Sequence, residues 1–252
     1  MSEAKLVVLV PCRDSVRSTA YVAQTGAIIM AEKFWKEQTG SSQFGVRSIP
    51  GVQAAEARTT LWKYAEGAGA DWTLWLDDDI VPPFDLLAKL WPATCMGDIV
   101  TGFYWRKGAP YDSVVARFDT NGRTEWIDPW QMKTPYEEVH GCGFGAVLVR
   151  SKVLKHVCLE HNDLPFLTKP GQTEDIYFCN AARRLGYKVI AVRDAICSHI
   201  GDYAYGEADR RRWLKDNNIV QKMSTIATQE EASTDEAPKT TPLGPTISST
   251  GT

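Results

Sequence analysis

The sequence predicts an α/β protein with a mostly parallel central sheet flanked by helices on both faces. Three observations carry this. Short, almost wholly apolar runs such as "KLVVLVPC" and "DWTLWL" suit strands that are covered on both faces. They alternate with longer stretches in which apolar residues recur at helical spacing. Glycines follow several of those stretches, where a helix ends in a left-handed cap.

In chain order, "KLVVLVPC" is the first strand and a helix follows from about Thr19 to Glu37. "FGVRSIPG" is a short strand, and "VQAAEARTTLWKYAEGAGA" is an Ala-rich helix ending in glycines. "DWTLWLDDD" is a buried strand that stops at three adjacent aspartates. The prolines and "FDLLAKLW" open another helix, since proline suits a first helical turn. "GDIVTGFYW" and "GAVLVRS" are strands, "TEDIYFCNAARRLG" is a helix, and "YKVIAVRDAICSHIG" is a last strand with its exit loop. The alternation is regular in the first half and irregular in the second.

A chain of 252 residues with 44% hydrophobic content is long enough for one large core. The last stretch, residues 225–252, is rich in Thr, Ser, Pro and Glu and nearly free of large apolar residues. It cannot bury enough surface to offset its ordering entropy, so the expected organisation is a single folded domain over residues 1–224 and a disordered tail. Net charge is −3, and the tail carries all of it. A near-neutral body argues against a nucleic-acid coat protein. The six cysteines show no C-x-x-C pair and no zinc-like spacing, which predicts reduced, mostly buried thiols. No apolar run is long enough for a transmembrane segment and the N-terminus has no signal-peptide pattern, so the expected location is cytoplasmic.

Asp77, Asp78 and Asp79 sit where a parallel sheet binds ligands, at the carboxyl end of a strand. A D-x-D pair, Asp77 and Asp79, offers hard oxygen ligands to Mn²⁺ or Mg²⁺, which in turn neutralises a diphosphate. The competing reading is an acidic loop that caps the helix at 84–90. "TED" carries the same ambiguity: Thr173 can cap a helix whose first turn then holds Glu174 and Asp175, where the dipole favours anions. "HGCGFGAVLVR" is not a dinucleotide fingerprint, because its glycines are spaced G-x-G-x-G and precede a strand.

Four stretches in order, "VLVPCRDS", "LWLDDDIVPP", "GCGFGAVLVRSKVL" and "TEDIYFCNAARRLGYKV" followed by "CSHIGD", resemble nucleotide-sugar glycosyltransferases with the A-type fold. The similarity is to the large inverting family of cellulose-synthase-like and O-antigen transferases, and it spans about Lys5 to Asp202. It implies a single-domain, Rossmann-like glycosyltransferase A fold and a metal-dependent enzyme. The donor would be a nucleotide-diphosphate sugar, a UDP-sugar foremost, and transfer to an acceptor hydroxyl would proceed with inversion.

Residue by residue, the resemblance implies that Pro11 and Arg13 hold base and ribose and that Arg58 reaches towards the nucleotide or its phosphates. Asp77 would contact ribose or metal, Asp78 would be the middle residue of the nucleotide-sugar motif, and Asp79 the main metal ligand; whether the pair is 77/79 or 78/79 stays open. Gly143 would let the backbone approach the donor sugar or acceptor. Asp175 would be the general base and Glu174 would hold the acceptor or its loop. His199 would complete the metal site, although a lone histidine after a strand is more often structural. His140 is less specific.

"GFYWRKGAPY" and "DYAYGEADRRRWLK" could stack on sugars and pair with phosphates, with Arg210, Arg211 and Arg212 closing over a diphosphate, or could be loop packing. A nucleotidyltransferase and a non-catalytic nucleotide- or carbohydrate-binding module are the competing readings. The first is weakened by the lack of a Gly- and Lys-rich loop after the first strand. The acceptor (saccharide, protein, lipid-linked glycan or modified DNA base) is left open.

Overall fold

A run of apolar residues at Leu6–Cys12 forms strand β1, buried along its whole length. The structure is a computed structural model that describes residues 3–13, 16–119, 123–217 and 219. The stretch expected to be disordered, residues 225–252, lies outside the described residues. The chain divides into two units, Met1–Arg211 and Arg212–Thr252; the central sheet and the candidate site belong to the first.

Helix α1 (Ser18–Thr39) buries Ala20, Gln24, Ala27, Ala31 and Trp35, one residue per turn, and ends at Gly40 in the left-handed conformation (φ 70°) with its N–H bonded to the Lys36 carbonyl. Next come β2 (Phe44–Pro50), α2 (Ala54–Gly67), β3 (Trp72–Leu76), the two-residue β4 (Ile80–Val81) and a one-turn α3 (Leu86–Leu90). The second half supplies β5 (Ile99–Phe103), β6 (Val115–Phe118), β7 (Thr124–Trp126), β8 (Tyr136–Val139), β9 (Gly141–Cys142) and β10 (Ala146–Arg150). It ends with α4 (Ser151–Glu160), α5 (Glu174–Arg184), β11 (Val189–Ile196), β12 (Ser198–Ile200), β13 (Ala204–Tyr205) and α6 (Glu207–Asp216).

Seven strands form the central sheet in the order β2-β1-β3-β10-β5-β11-β8. Pairs β1–β2, β1–β3 and β5–β11 are parallel, while β10 is antiparallel to both its neighbours and β8 to β11. Five strands thus share one direction and two oppose it. Alternate residues of β1 feed two cores. Val7 and Leu9 pack with Leu61 and Trp62 of α2, Leu154 of α4 and Phe178 of α5. Leu6, Val8 and Val10 pack with Trp35 of α1 and Leu87 of α3 on the opposite face. Helices on both faces are what the all-apolar strands required.

The structure departs from expectation at four places. The helix expected from the prolines onward starts only at Leu86; Pro82 and Pro83 precede it, and a 3-10 turn, Trp91–Cys95, follows. The acidic cluster does not cap it, because β4 intervenes and Asp85 stands at its N-cap. The last strand breaks at Cys197, and β12 leaves the main sheet to pair with β4 and β13. Helix α4 and strands β6 to β9 were not expected. Among the described residues no helix is long and apolar enough to cross a membrane.

Candidate active site

The carboxyl ends of β1, β2 and β3 lie side by side, and a cavity of about 600 Å³ opens there. Pro11, Cys12 and Arg13 line it from β1, Gly51 to Ala54 from the turn into α2, and Arg58 from α2 itself. Asp77, Asp78 and Asp79 follow from the end of β3, and His199 from β12. Seven predicted site residues therefore line one cavity. Glu174, Asp175 and Gly143 do not line the cavity.

Each aspartate has its own partner. Asp77 accepts two hydrogen bonds from Arg58 Nη2, at 2.8 and 3.0 Å. Asp78 accepts the backbone N–H of Arg13 at 2.9 Å, tying the β1 exit loop to the cluster. Asp79 is bonded to Lys107 Nζ through one oxygen and lies 3.2 Å from His199 Nε2 through the other. Separate partners, cations for Asp77 and Asp79 and a backbone N–H for Asp78, thus answer the repulsion that three adjacent carboxylates would suffer. Burial pushes Asp77 up to about 6 against the pull of Arg58. Burial acts in the same sense on Asp79, but the bonds and charges of His199 and Lys107 outweigh it and hold that carboxyl at about 2.

The backbone of the cluster is held as firmly as its side chains. Gln24, buried on the core face of α1, donates from Nε2 to the carbonyls of Asp77 (2.7 Å) and Ile80 (2.9 Å). A polar residue at a core position of an apolar helix face was the signal for it. The Ile200 N–H donates to the Asp79 carbonyl at 2.7 Å, bringing His199 beside Asp79.

Arg58 is buried in the face of α2 turned to the protein, 3% exposed. Its Nη1 donates to Glu174 at the start of α5, so one guanidinium bridges the end of β3 and the N-terminus of α5. Burial opposes its charge, but Asp77, Glu174 and Asp175 together raise its pKa further. Its Nε finds no hydrogen-bond partner among the described residues. Thr173 occupies the N-cap of α5, yet its hydroxyl donates to Asp175 Oδ1 rather than capping the backbone. Asp175 Oδ1 also accepts the N–H of Ile176 at 2.7 Å.

Gly143 and Gly145 make room for Tyr104. A Cβ at Gly143 would collide with the Tyr104 hydroxyl, and one at Gly145 would lie 2.8 Å from its Cζ. The hydroxyl accepts the Gly145 N–H at 3.1 Å. Burial, then the charges of Asp77 and Asp175, raise the phenol pKa well above its ordinary value. His140 does not line the cavity and accepts the Phe118 N–H. Of the arginines suggested to close over a diphosphate, Arg210 pairs with Asp112 and Asp128 at 2.9 and 3.0 Å, and Arg211 with Glu207. Arg212 begins the second unit.

No three His, Cys, Asp or Glu side chains converge as a metal-holding group among the described residues. The donor chemistry at Asp79 and His199 nonetheless fits a divalent cation. His199 Nδ1 donates to the Trp105 carbonyl at 2.9 Å, which turns Nε2 towards Asp79 Oδ1 at 3.2 Å. An imidazole nitrogen and a carboxylate oxygen at that separation are bridged by a proton or a cation, and a carbonyl-oriented imidazole is a common metal ligand.

No family model matches the sequence, and no curated protein is similar to it. Solved structures are similar in fold. A197 from STIV superposes with a TM-score of 0.51 at 20% identity, over 81% of this chain and 91% of that one. GalNAc-T7, solved with UDP, GalNAc and Mn²⁺, gives 0.51 at 14% identity over 84% of this chain and 48% of its own, so this chain spans about half of it. TarS from S. aureus, residues 1–349, gives 0.45 at 14% identity over 75% and 58%. The chain therefore has a glycosyltransferase-like α/β fold. At these identities the likeness extends to the fold alone.

Proposed function

We propose that the protein is a metal-dependent glycosyltransferase whose catalytic domain is residues 1–224. It would take a nucleotide-diphosphate sugar, a UDP-sugar foremost, and transfer the sugar with inversion to an acceptor hydroxyl. The observation that carries this reading is the convergence of Arg13, Arg58, Asp77, Asp78, Asp79 and His199 on one cavity at the carboxyl edge of the sheet.

Asp79 and His199 would hold Mn²⁺ or Mg²⁺, with Asp77 beside them. When bound, the ion supplies positive charge against a diphosphate. Pro11 and Arg13 would hold base and ribose. Arg58 keeps Asp77 and Glu174 in place. Asp175 would take the proton of the acceptor hydroxyl on Oδ2, since Oδ1 is occupied by Thr173 and Ile176. The acceptor oxygen then bonds to the anomeric carbon as the bond from that carbon to the diphosphate oxygen breaks, and its electron pair leaves with the diphosphate. GalNAc-T7, solved with UDP, GalNAc and Mn²⁺, supports the donor and ion assignments by likeness of fold.

One observation favours a non-catalytic nucleotide-binding module: Arg58 and Lys107 already neutralise Asp77 and Asp79. Incubating the protein with a panel of nucleotide sugars, with Mn²⁺ and with chelator, separates the two. A transferase releases nucleoside diphosphate from one donor and stops on chelation. A module releases none.

A further inference from the structure

Lys107 belongs to the aromatic and basic stretch "GFYWRKGAPY", which the sequence did not tie to the acidic cluster. It sits in the loop from Tyr104 to Val114, which closes on itself through the Trp105–Ser113 bridge and hydrogen bonds from Arg106 N–H to the Asp112 carbonyl (3.0 Å) and from Tyr111 N–H to the Gly108 carbonyl (2.8 Å). From there the side chain crosses Gly201, where a Cβ would lie 3.3 Å from Lys107 Cδ. Its ammonium ends on Asp79 Oδ2, while His199 faces Oδ1 of the same carboxylate. The same loop orients His199 through the Trp105 carbonyl.

We propose that Lys107 is a tethered counter-cation that occupies Asp79 in the metal-free protein, competes with the divalent cation for it, and passes to the donor's diphosphate once displaced. This rests on the metal-dependent reading above. An ammonium and a dication cannot share one carboxylate without repelling each other. Lys107 is free to leave, because its side chain is 36% exposed and carries a flexible four-carbon stem. The metal would have to break a partly solvated ion pair, a cost that corresponds to about a three- to fivefold loss of affinity. Once released, the ammonium remains tethered beside the ion, where a bound diphosphate offers it new oxygens.

The discriminating signature is a pair of opposite effects. Mn²⁺ binding to the full chain is read from the free-ion electron paramagnetic resonance signal, in wild type, Lys107→Met and Lys107→Arg. UDP binding is then measured by calorimetry at saturating Mn²⁺. Lys107→Met should bind Mn²⁺ about three- to fivefold more tightly and UDP more weakly, while Lys107→Arg stays near wild type in both. Equal or weaker Mn²⁺ binding by Lys107→Met overturns the competition. Unchanged UDP affinity overturns the transfer to diphosphate. If no protein binds Mn²⁺, the metal-dependent reading falls and the competition with it.

Discussion

Arg58 closes on Asp77 with two hydrogen bonds from one nitrogen, at 2.8 and 3.0 Å, in a position almost cut off from solvent. Its other terminal nitrogen holds Glu174, 116 residues later in the chain. The arginine is thus the joint between the acidic end of β3 and the start of the helix that carries Asp175.

Removing that joint should be costly. Arg58→Met leaves two carboxylates in a buried place without their cation, an arrangement that costs about 3–5 kcal/mol. Lysine, a point charge with no fork, should recover only part of it. Thermal melts of both variants check this. A melting temperature for Arg58→Met equal to wild type would show that the bridge is not structural.

Gly143 should resist enlargement because of Tyr104. Gly143→Ala places a methyl group against the Tyr104 hydroxyl and 3.1 Å from Val114 Cβ, so overpacking of about 1–3 kcal/mol follows. Adding Tyr104→Phe deletes the hydroxyl and should restore part of the loss. Denaturant midpoints of the single and double variants measure it. No recovery in the double variant would place the strain elsewhere.

Thiol reactivity should divide by burial. Cys95 is exposed, while Cys158 and Cys197 are buried and burial pushes their pKa values up to about 11 and about 12. A raised pKa keeps the reactive thiolate scarce until the pH approaches those values, so alkylation at pH 9 should modify the exposed Cys95 and leave Cys158 and Cys197 unmodified. Mass spectrometry of the alkylated, folded protein reports the sites.

The elements legible in the sequence were those with a strong period. The all-apolar β1 and β3, the four-residue rhythm of α1 and the glycine after α5 each announced themselves locally. The direction of β10 did not, since "GAVLV" packs equally well either way round, and strands β6 to β9 are too short and mixed to show a period. The cluster at 77–79 was visible as a ligand edge, but the partners of its carboxylates were not. Arg58 lies 19 residues from Asp77 and Lys107 28 residues from Asp79, and only the closed sheet brings them together. Tyr104 and Lys107 stood in a stretch marked as aromatic and basic, and the expectation assigned such residues to sugars or phosphates. Tyr104 is instead packed against two glycines, and Lys107 is on a carboxylate.

The central claim divides the work of the site, with Asp79 and His199 serving donor and ion, and Asp175 serving the proton. The most direct measurement is donor affinity and turnover side by side in wild type and Asp175→Asn, using the nucleotide sugar that the panel identifies. Asparagine keeps the shape but cannot take a proton, so turnover should fall by about 10²- to 10⁴-fold while the donor dissociation constant stays within about twofold. Turnover equal to wild type in Asp175→Asn would contradict the account.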